Sequence, residues 1–163
     1  MLVAVAAASG LAAAIDLRTG RIPNRLTACV AGTGIGLTAF GLTGHSVAAS
    51  AVGAVLGFVM MLPGHVLGGT GAGDVKLVAA LGTLLGPAGV FMAVLYGAVA
   101  GGVLAVAHAL HRRRLGTTLS RTARLVAAPG DAKKDIDGAA AHSRFAYGPA
   151  IAIGAIAAAL LVK

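Results

Sequence analysis

One short stretch decides the fold, and it reads Gly69-Thr70-Gly71-Ala72-Gly73-Asp74-Val75-Lys76-Leu77. It places an acid and several glycines between two long apolar runs, in a chain that has five Asp and no Glu. Two acids, Asp16 and Asp74, lie beside apolar runs; the other three share one polar segment (Asp131, Asp135 and Asp137). An ionisable group in a membrane segment is costly, so it indicates a functional site with a partner nearby. We predict that Asp16 is the partner of Asp74.

The composition is that of an integral membrane protein. Of 163 residues, 58% are hydrophobic and 11% are charged, and the mean hydropathy is +0.91. Frequent Ala and Gly suit helices that pack closely in lipid. The single cysteine, Cys29, excludes an internal disulfide or a cysteine-based zinc site, and we expect it to be buried. We predict no metal and no organic cofactor.

Six apolar runs divide the chain, and they cover residues 2–15, 26–42, 47–67, 75–85, 90–110 and 145–162. The prediction is an all-α, polytopic membrane protein with six transmembrane helices, forming a single domain over residues 1–163. A short irregular glycine loop precedes the fourth helix, and Gly86-Pro87 separates the fourth from the fifth. Pro23 and Asn24 are expected to start the second helix, Asn24 by capping it.

The basic residues predict the orientation of these helices. Twelve of the thirteen Lys and Arg fall in three alternate connections, at 18–25, 70–76 and 111–144. The connections at 43–46 and 86–89 hold none. Because Lys and Arg are enriched on the cytoplasmic side, both termini should lie outside the plasma membrane and both aspartates in its cytoplasmic half. The net charge of +8 is therefore explained by the membrane rather than by nucleic acid, and the 111–144 loop should lie against anionic lipid.

Two carboxylates close together in a poorly solvated cleft cannot both ionise easily, so Asp16 and Asp74 should share a proton. In aspartic proteases the ionised partner takes a proton from the attacking water, while the protonated partner hydrogen-bonds the peptide carbonyl. Gly71 and Gly73 would allow the backbone to approach a substrate closely. Irregular backbone at membrane depth must line protein or a wet cavity, which agrees with a cleft at this loop.

Other interpretations of the same residues stay open. Asp74 could be a helix N-cap, and Asp16 could pair at the interface with Arg18 or Arg21. His65 is more typical of a helix-packing hydrogen bond than of a site residue. The alternative function is a small ion-coupled transporter or secretion-channel subunit, in which the two aspartates relay protons or bind a cation.

The sequence resembles the type IV prepilin peptidases and archaeal preflagellin peptidases, which are membrane aspartic peptidases defined by a GxGD motif. The resemblance rests on Asp16 followed by Ile22-Pro23-Asn24-Arg25-Leu26-Thr27, on Gly71 to Gly82 (GAGDVKLVAALG), and on Tyr147-Gly148-Pro149-Ala150-Ile151. These stretches occur in the family's order and extend over the whole chain.

This resemblance implies that Asp16 and Asp74 are the catalytic pair and that the substrate is a prepilin-like protein. The reaction it implies is removal of a leader peptide at the cytoplasmic face. Gly71, Gly73 and Lys76 are implied as supporting residues of the motif, and Lys76 is expected to anchor the loop or to reach the headgroups. The chain is similar to the short members that serve tight-adherence (Flp) pili, so methyltransferase activity is not expected.

Overall fold

The computed structural model describes residues 1–67, 69–111 and 147–161, with the side chains of 108–111 excluded. In these ranges the chain forms five α-helices and no strand: α1 (Leu2–Thr19), α2 (Asn24–Ala39), α3 (Val47–Val66), α4 (Ala72–His111) and α5 (Gly148–Leu161). The predicted all-α class is confirmed. Beyond His111, the predicted basic loop at 111–144 lies outside the described residues.

Helix α4 reverses direction at Gly86, where φ is 69° and ψ is −178°. A positive φ suits glycine, and Pro87 directly after it cannot donate a backbone hydrogen bond. The Tyr147 side chain packs against Gly101. It also lies within electrostatic range of Asp74. A continuous helix would hold residues 74 and 101 about 40 Å apart at 1.5 Å per residue. The two halves of α4, residues 72–85 and 87–111, therefore return to the same end of the bundle.

A polar cluster fixes this reversal from the neighbouring helix. Pro87 has no N–H to offer the Thr83 carbonyl four residues earlier. The Ser50 hydroxyl donates to that carbonyl oxygen at 2.5 Å, and His45 Nε2 donates to it at 3.4 Å. Side chains from α3 and from the turn before it therefore supply the hydrogen bonds that the Thr83 carbonyl oxygen cannot receive from Pro87. A buried backbone carbonyl requires such a partner. The predicted break at Gly86-Pro87 is where the chain turns.

Helix α4 is the centre of the bundle, and each of the other four helices packs against it. Its first half approaches α3 so closely that a Cβ on Gly53 would overlap the carbonyl oxygen of Gly82. Its second half crosses α5 at Gly154, where a Cβ would overlap the Ala93 carbonyl oxygen. Small residues at both crossings let the backbones meet, as in helix packing within lipid.

The outer surface of the bundle is apolar, so the protein is a membrane protein. Three helical stretches are long and apolar enough to cross a bilayer: Leu2–Thr19, Val47–Val66 and Ala72–Ala107. Large apolar side chains such as Val3 and Phe40 are more than 80% exposed, as lipid contact requires. Because α4 folds back, its apolar stretch supplies two segments. The full count of six membrane-spanning helices stays a prediction.

Three local expectations are corrected by the structure. Helix α1 continues beyond Ile15 to Thr19 and ends at Gly20, whose φ is 62° and whose N–H donates to the Asp16 carbonyl. Asp16 is therefore in the last helical turn rather than in the connection. Helix α2 starts at Asn24 after Pro23, but the Asn24 side chain makes no cap.

The predicted burial of Cys29 is also wrong, since this side chain is exposed on the surface of α2. The buried face of that helix carries Thr27, Val30, Gly34 and Thr38, which face the bundle. Cys29 lies off this face, and an apolar thiol on the lipid side of a helix carries little cost.

Candidate active site

Asp74 is the third residue of α4, and its carboxylate is held by the loop before the helix. The Gly71 N–H donates to Asp74 Oδ2 at 3.0 Å, and the Asp74 N–H donates to the Gly71 carbonyl oxygen at 3.1 Å. This reciprocal pairing resembles a capping box, with the acid three residues after the capping position. Asp74 is therefore not the N-cap itself, although its negative charge faces the favourable end of the helix dipole. The side chain is 7% exposed.

Asp16 is held in the same way by a different helix. The N–H of Gly148, the first residue of α5, donates to Asp16 Oδ2 at 3.0 Å. Asp16 is 8% exposed, whereas Arg18 and Arg21 lie on the exposed surface. The carboxylate thus makes its hydrogen bond to the start of α5, and the interfacial ion pair considered from the sequence is not the contact observed.

The two carboxylates lie within electrostatic range of each other. Asp16 lies near enough to Asp74 for a weak electrostatic interaction, and Asp74 lies near enough to Tyr147, the residue before α5, for another. Each carboxylate uses Oδ2 to accept a backbone N–H at the start of a helix. The fold therefore brings together two acids from distant parts of the chain in matching environments.

The motif glycines pack against the protein's own atoms. A Cβ on Gly73 would lie 3.1 Å from the Ile22 Cβ, so this glycine lets the α1–α2 connection approach the start of α4. A Cβ on Gly71 would lie 3.3 Å from Asp74 Oδ2. Both glycines therefore help to position the loop before α4 and the Asp74 side chain. Their close approach to a substrate stays a prediction.

Two side chains tie this loop to neighbouring helices. Lys76 Nζ donates to Asn24 Oδ1 at 3.0 Å, which links the exposed starts of α4 and α2. His65 Nδ1, at the end of α3, donates to the Thr70 carbonyl oxygen at 3.0 Å. Lys76 is thus placed to anchor the motif, and His65 makes a structural hydrogen bond within a few residues of Asp74.

The contact between the start of α5 and Asp16 was not predicted from the residues, and only the family resemblance pointed to Tyr147 and Gly148. A glycine and a proline after an aromatic residue are a signal for a helix start, and a helix start attracts carboxylates. Nothing in the sequence said which carboxylate it would bind. Within the described ranges, no three His, Cys, Asp or Glu side chains come together as a metal site would need.

Comparison with known protein families finds a match. The sequence profile of the type IV leader peptidase family matches residues 3–106, a range that contains both Asp16 and Asp74. Searches of curated proteins and of solved structures each found no match. Since the matched range covers well over half of the 163 residues, the chain belongs to the type IV leader peptidase family.

Proposed function

We propose that this membrane peptidase is an aspartic endopeptidase that removes the leader from Flp-like type IV prepilins. In this proposal Asp16 and Asp74 are the catalytic residues, and Gly71, Gly73 and Lys76 hold Asp74 in place. The chain crosses the plasma membrane six times, with both termini outside and the aspartates towards the cytoplasm. The observation that carries the proposal is the pair of buried carboxylates, each held through one oxygen by a backbone N–H and lying within electrostatic range of the other.

The arrangement suits acid–base chemistry on a peptide bond. Both carboxylates direct one oxygen to a fixed backbone donor, so the positions of their second oxygens are determined as well. With one proton between them, the ionised carboxylate takes a proton from water as the water oxygen bonds to the peptide carbon. The protonated carboxylate donates to the carbonyl oxygen. The C–N bond then breaks, the leaving nitrogen receives the proton taken from water, and the hydroxyl formed on the carbonyl oxygen returns its proton to the carboxylate that supplied it.

The test is co-expression with candidate prepilins in membranes, followed by sequencing of the new amino terminus of any shortened product. Asp16→Asn and Asp74→Asn should each abolish cleavage. Asn keeps an oxygen that can accept the Gly148 or Gly71 N–H, so both variants should still insert and fold. Asp131→Asn is the matched control, because it removes an acid from the polar segment and should leave cleavage intact.

The opposite outcome would favour the transporter interpretation. If reconstituted vesicles showed a proton or cation flux that depended on Asp16 and Asp74, and no prepilin were shortened, the peptidase proposal would fail. Cleavage that persisted in both Asn variants would also refute the roles assigned to these residues.

A further inference from the structure

Tyr147 is the residue at which the first turn of α5 closes. Its carbonyl oxygen accepts the Ile151 N–H at 3.1 Å, at the start of the helix. The next residue, Gly148, is buried and donates its N–H to Asp16 Oδ2. Pro149 follows and has no N–H to offer. The position of the Asp16 carboxylate therefore depends on how firmly the first turn of α5 is held.

The Tyr147 ring holds this turn from outside the helix. A helix end opens more easily than the middle, because its outermost backbone groups have no partners within the helix. Tyrosine is not among the residues that favour capping such an end. The ring instead packs against Gly101 in the second half of α4, where a Cβ would lie 3.0 Å from Tyr147 Oη and 3.1 Å from Cζ. We call the space left by the missing Gly101 side chain the Gly101 notch.

The Gly101 notch continues a line of close approaches between α4 and α5. A Cβ on Gly97 would lie 3.4 Å from the Ala150 carbonyl oxygen. Residues four apart lie on one face of a helix, so Gly97 and Gly101 present the same face of α4. At Gly97 the nearest atoms are backbone atoms of α5, whereas at Gly101 they belong to the Tyr147 side chain. The ring therefore extends the packing of α5 beyond its first residue.

The surroundings of Tyr147 give the ring room to leave the notch. The residue lines a cavity of about 210 Å³ among α3, both halves of α4 and α5. A side chain introduced at Gly101 would push the ring out of the notch, and the cavity can receive it. Filling the notch should therefore cost little stability while it releases the start of α5.

We propose that Tyr147 is a positioning residue for the proposed reaction. Seated in the Gly101 notch, it holds the first turn of α5 so that the Gly148 N–H stays directed at Asp16. The inference rests on the proposed peptidase function and adds to it a side chain that acts through the hydrogen bond to one of the acids. Gly101 belongs to the same arrangement, because a side chain at this position displaces the ring.

The first test fills the notch and measures cleavage of a prepilin identified by co-expression. Gly101→Leu should lower kcat about tenfold or more and change KM much less, because a displaced carboxylate impairs the reaction step more than substrate binding. Gly102→Leu is the matched control, since Gly102 is exposed and no atom lies within 4 Å of a Cβ there. It should cleave at the wild-type rate. If Gly101→Leu does not accumulate in membranes, Gly101→Ala decides, with an expected loss of about threefold.

Variants of the ring separate positioning from simple helix packing. Tyr147→Phe keeps the ring and should retain most of the activity, whereas Tyr147→Leu should lose about as much as Gly101→Leu. In the Tyr147→Leu background, Gly101→Ala should cause no further loss, because the group that it displaces is already gone. Additive losses would indicate that Gly101 only packs helices and would overturn the proposal. A Phe variant as impaired as the Leu variant would also overturn it, since the hydroxyl and not the ring would then matter.

The second test observes the Gly148 N–H directly and needs no substrate. Isotope labelling of the tyrosine carbonyl carbon and the glycine nitrogen selects, in NMR spectra, the glycines that directly follow a tyrosine. The chain has two of them, Gly97 and Gly148. Gly97 lies inside α4 and reports any general loosening of the bundle. Relative to Gly97, hydrogen exchange at Gly148 should be about tenfold faster in Gly101→Leu than in the wild type, and unchanged in Gly102→Leu.

The outcomes distinguish this proposal from the peptidase function. Gly148 exchange that is equal in Gly101→Leu and the wild type overturns the positioning role, and continued prepilin cleavage then leaves the peptidase function standing. A kcat of Gly101→Leu within about twofold of wild type has the same meaning. If the exchange responds as expected but the wild-type protein cleaves no prepilin, the peptidase function falls, and with it the catalytic role of this contact, while its role in holding Gly148 stands.

Discussion

A single methyl group at Gly148 should impair the proposed active site although neither aspartate is replaced. A Cβ at this position would lie 2.8 Å from Asp16 Oδ2 and 2.9 Å from the Asp16 Cβ. Ordinary contacts of this kind begin at 3.4 Å, so the carboxylate must move by about 0.6 Å or α5 must shift away. Either response weakens the hydrogen bond from the Gly148 N–H that positions the Asp16 carboxylate.

The size of the effect follows from that displacement. A misplacement of about 1 Å can cost roughly a hundredfold in rate, so a shift of this size should cost about ten- to a hundredfold in kcat/KM. That loss corresponds to about 1.4 to 2.7 kcal/mol of transition-state stabilisation. The overlap itself should lower the free energy of unfolding by about 1 to 3 kcal/mol, as in other overpacked sites.

The assay compares Gly148→Ala with Gly10→Ala, a matched change in the helix that carries Asp16. No atom lies within 4 Å of a Cβ at Gly10, so this control should cleave prepilin at the wild-type rate. Thermal unfolding in detergent shows whether each variant is folded. A folded Gly148→Ala enzyme with a rate within twofold of wild type would refute the reasoning, and so would an equal loss in Gly10→Ala.

Three further predictions use other contacts near the site and in the bundle. The His65→Asn variant keeps a donor at the position of Nδ1, so it should cleave prepilin several-fold faster than the His65→Gln variant, with the difference in kcat rather than KM. Equal rates would show that the hydrogen bond to Thr70 does not position the loop. Gly53→Leu should prevent accumulation of folded protein, because its side chain would overlap α4. Gly32→Ala has open space around it and should leave the free energy of unfolding unchanged or raise it by up to about 1 kcal/mol. The yield of folded protein in detergent measures both effects. A double-mutant cycle of Lys76→Met and Asn24→Ala should give a coupling of no more than about 1 kcal/mol in unfolding, since both groups are exposed, and a larger coupling would contradict a merely local anchor.

Much of the architecture could be predicted because membrane segments have a strong signal. Long apolar runs and turn residues predicted the helices, and Gly86-Pro87 correctly marked the reversal inside α4. The end of α1 was placed too early, because a charged residue such as Asp16 looks like the end of an apolar run although its backbone is still helical. Charge predicts where a segment leaves the lipid better than where a helix ends.

The candidate site was only partly predictable, for a physical reason. Scarcity of acids singled out Asp16 and Asp74, but their partners are backbone N–H groups, which every residue except proline carries. No pattern in the sequence distinguishes the N–H of Gly148 that binds Asp16 from any other. The cavity beside Tyr147 was likewise unpredictable, since it arises from how three helices and their small residues pack together.

The hydrogen bond from Gly148 to Asp16 also joins two segments that are synthesised at different times. Asp16 is synthesised before its backbone partner Gly148, and the polar segment at 111–144 lies between them in the chain. A nascent chain that has inserted only its earlier helices holds both acids but lacks the amide that orients one of them. Under the proposed function, peptidase activity would therefore require insertion of α5 as well as of the helices that carry the two acids.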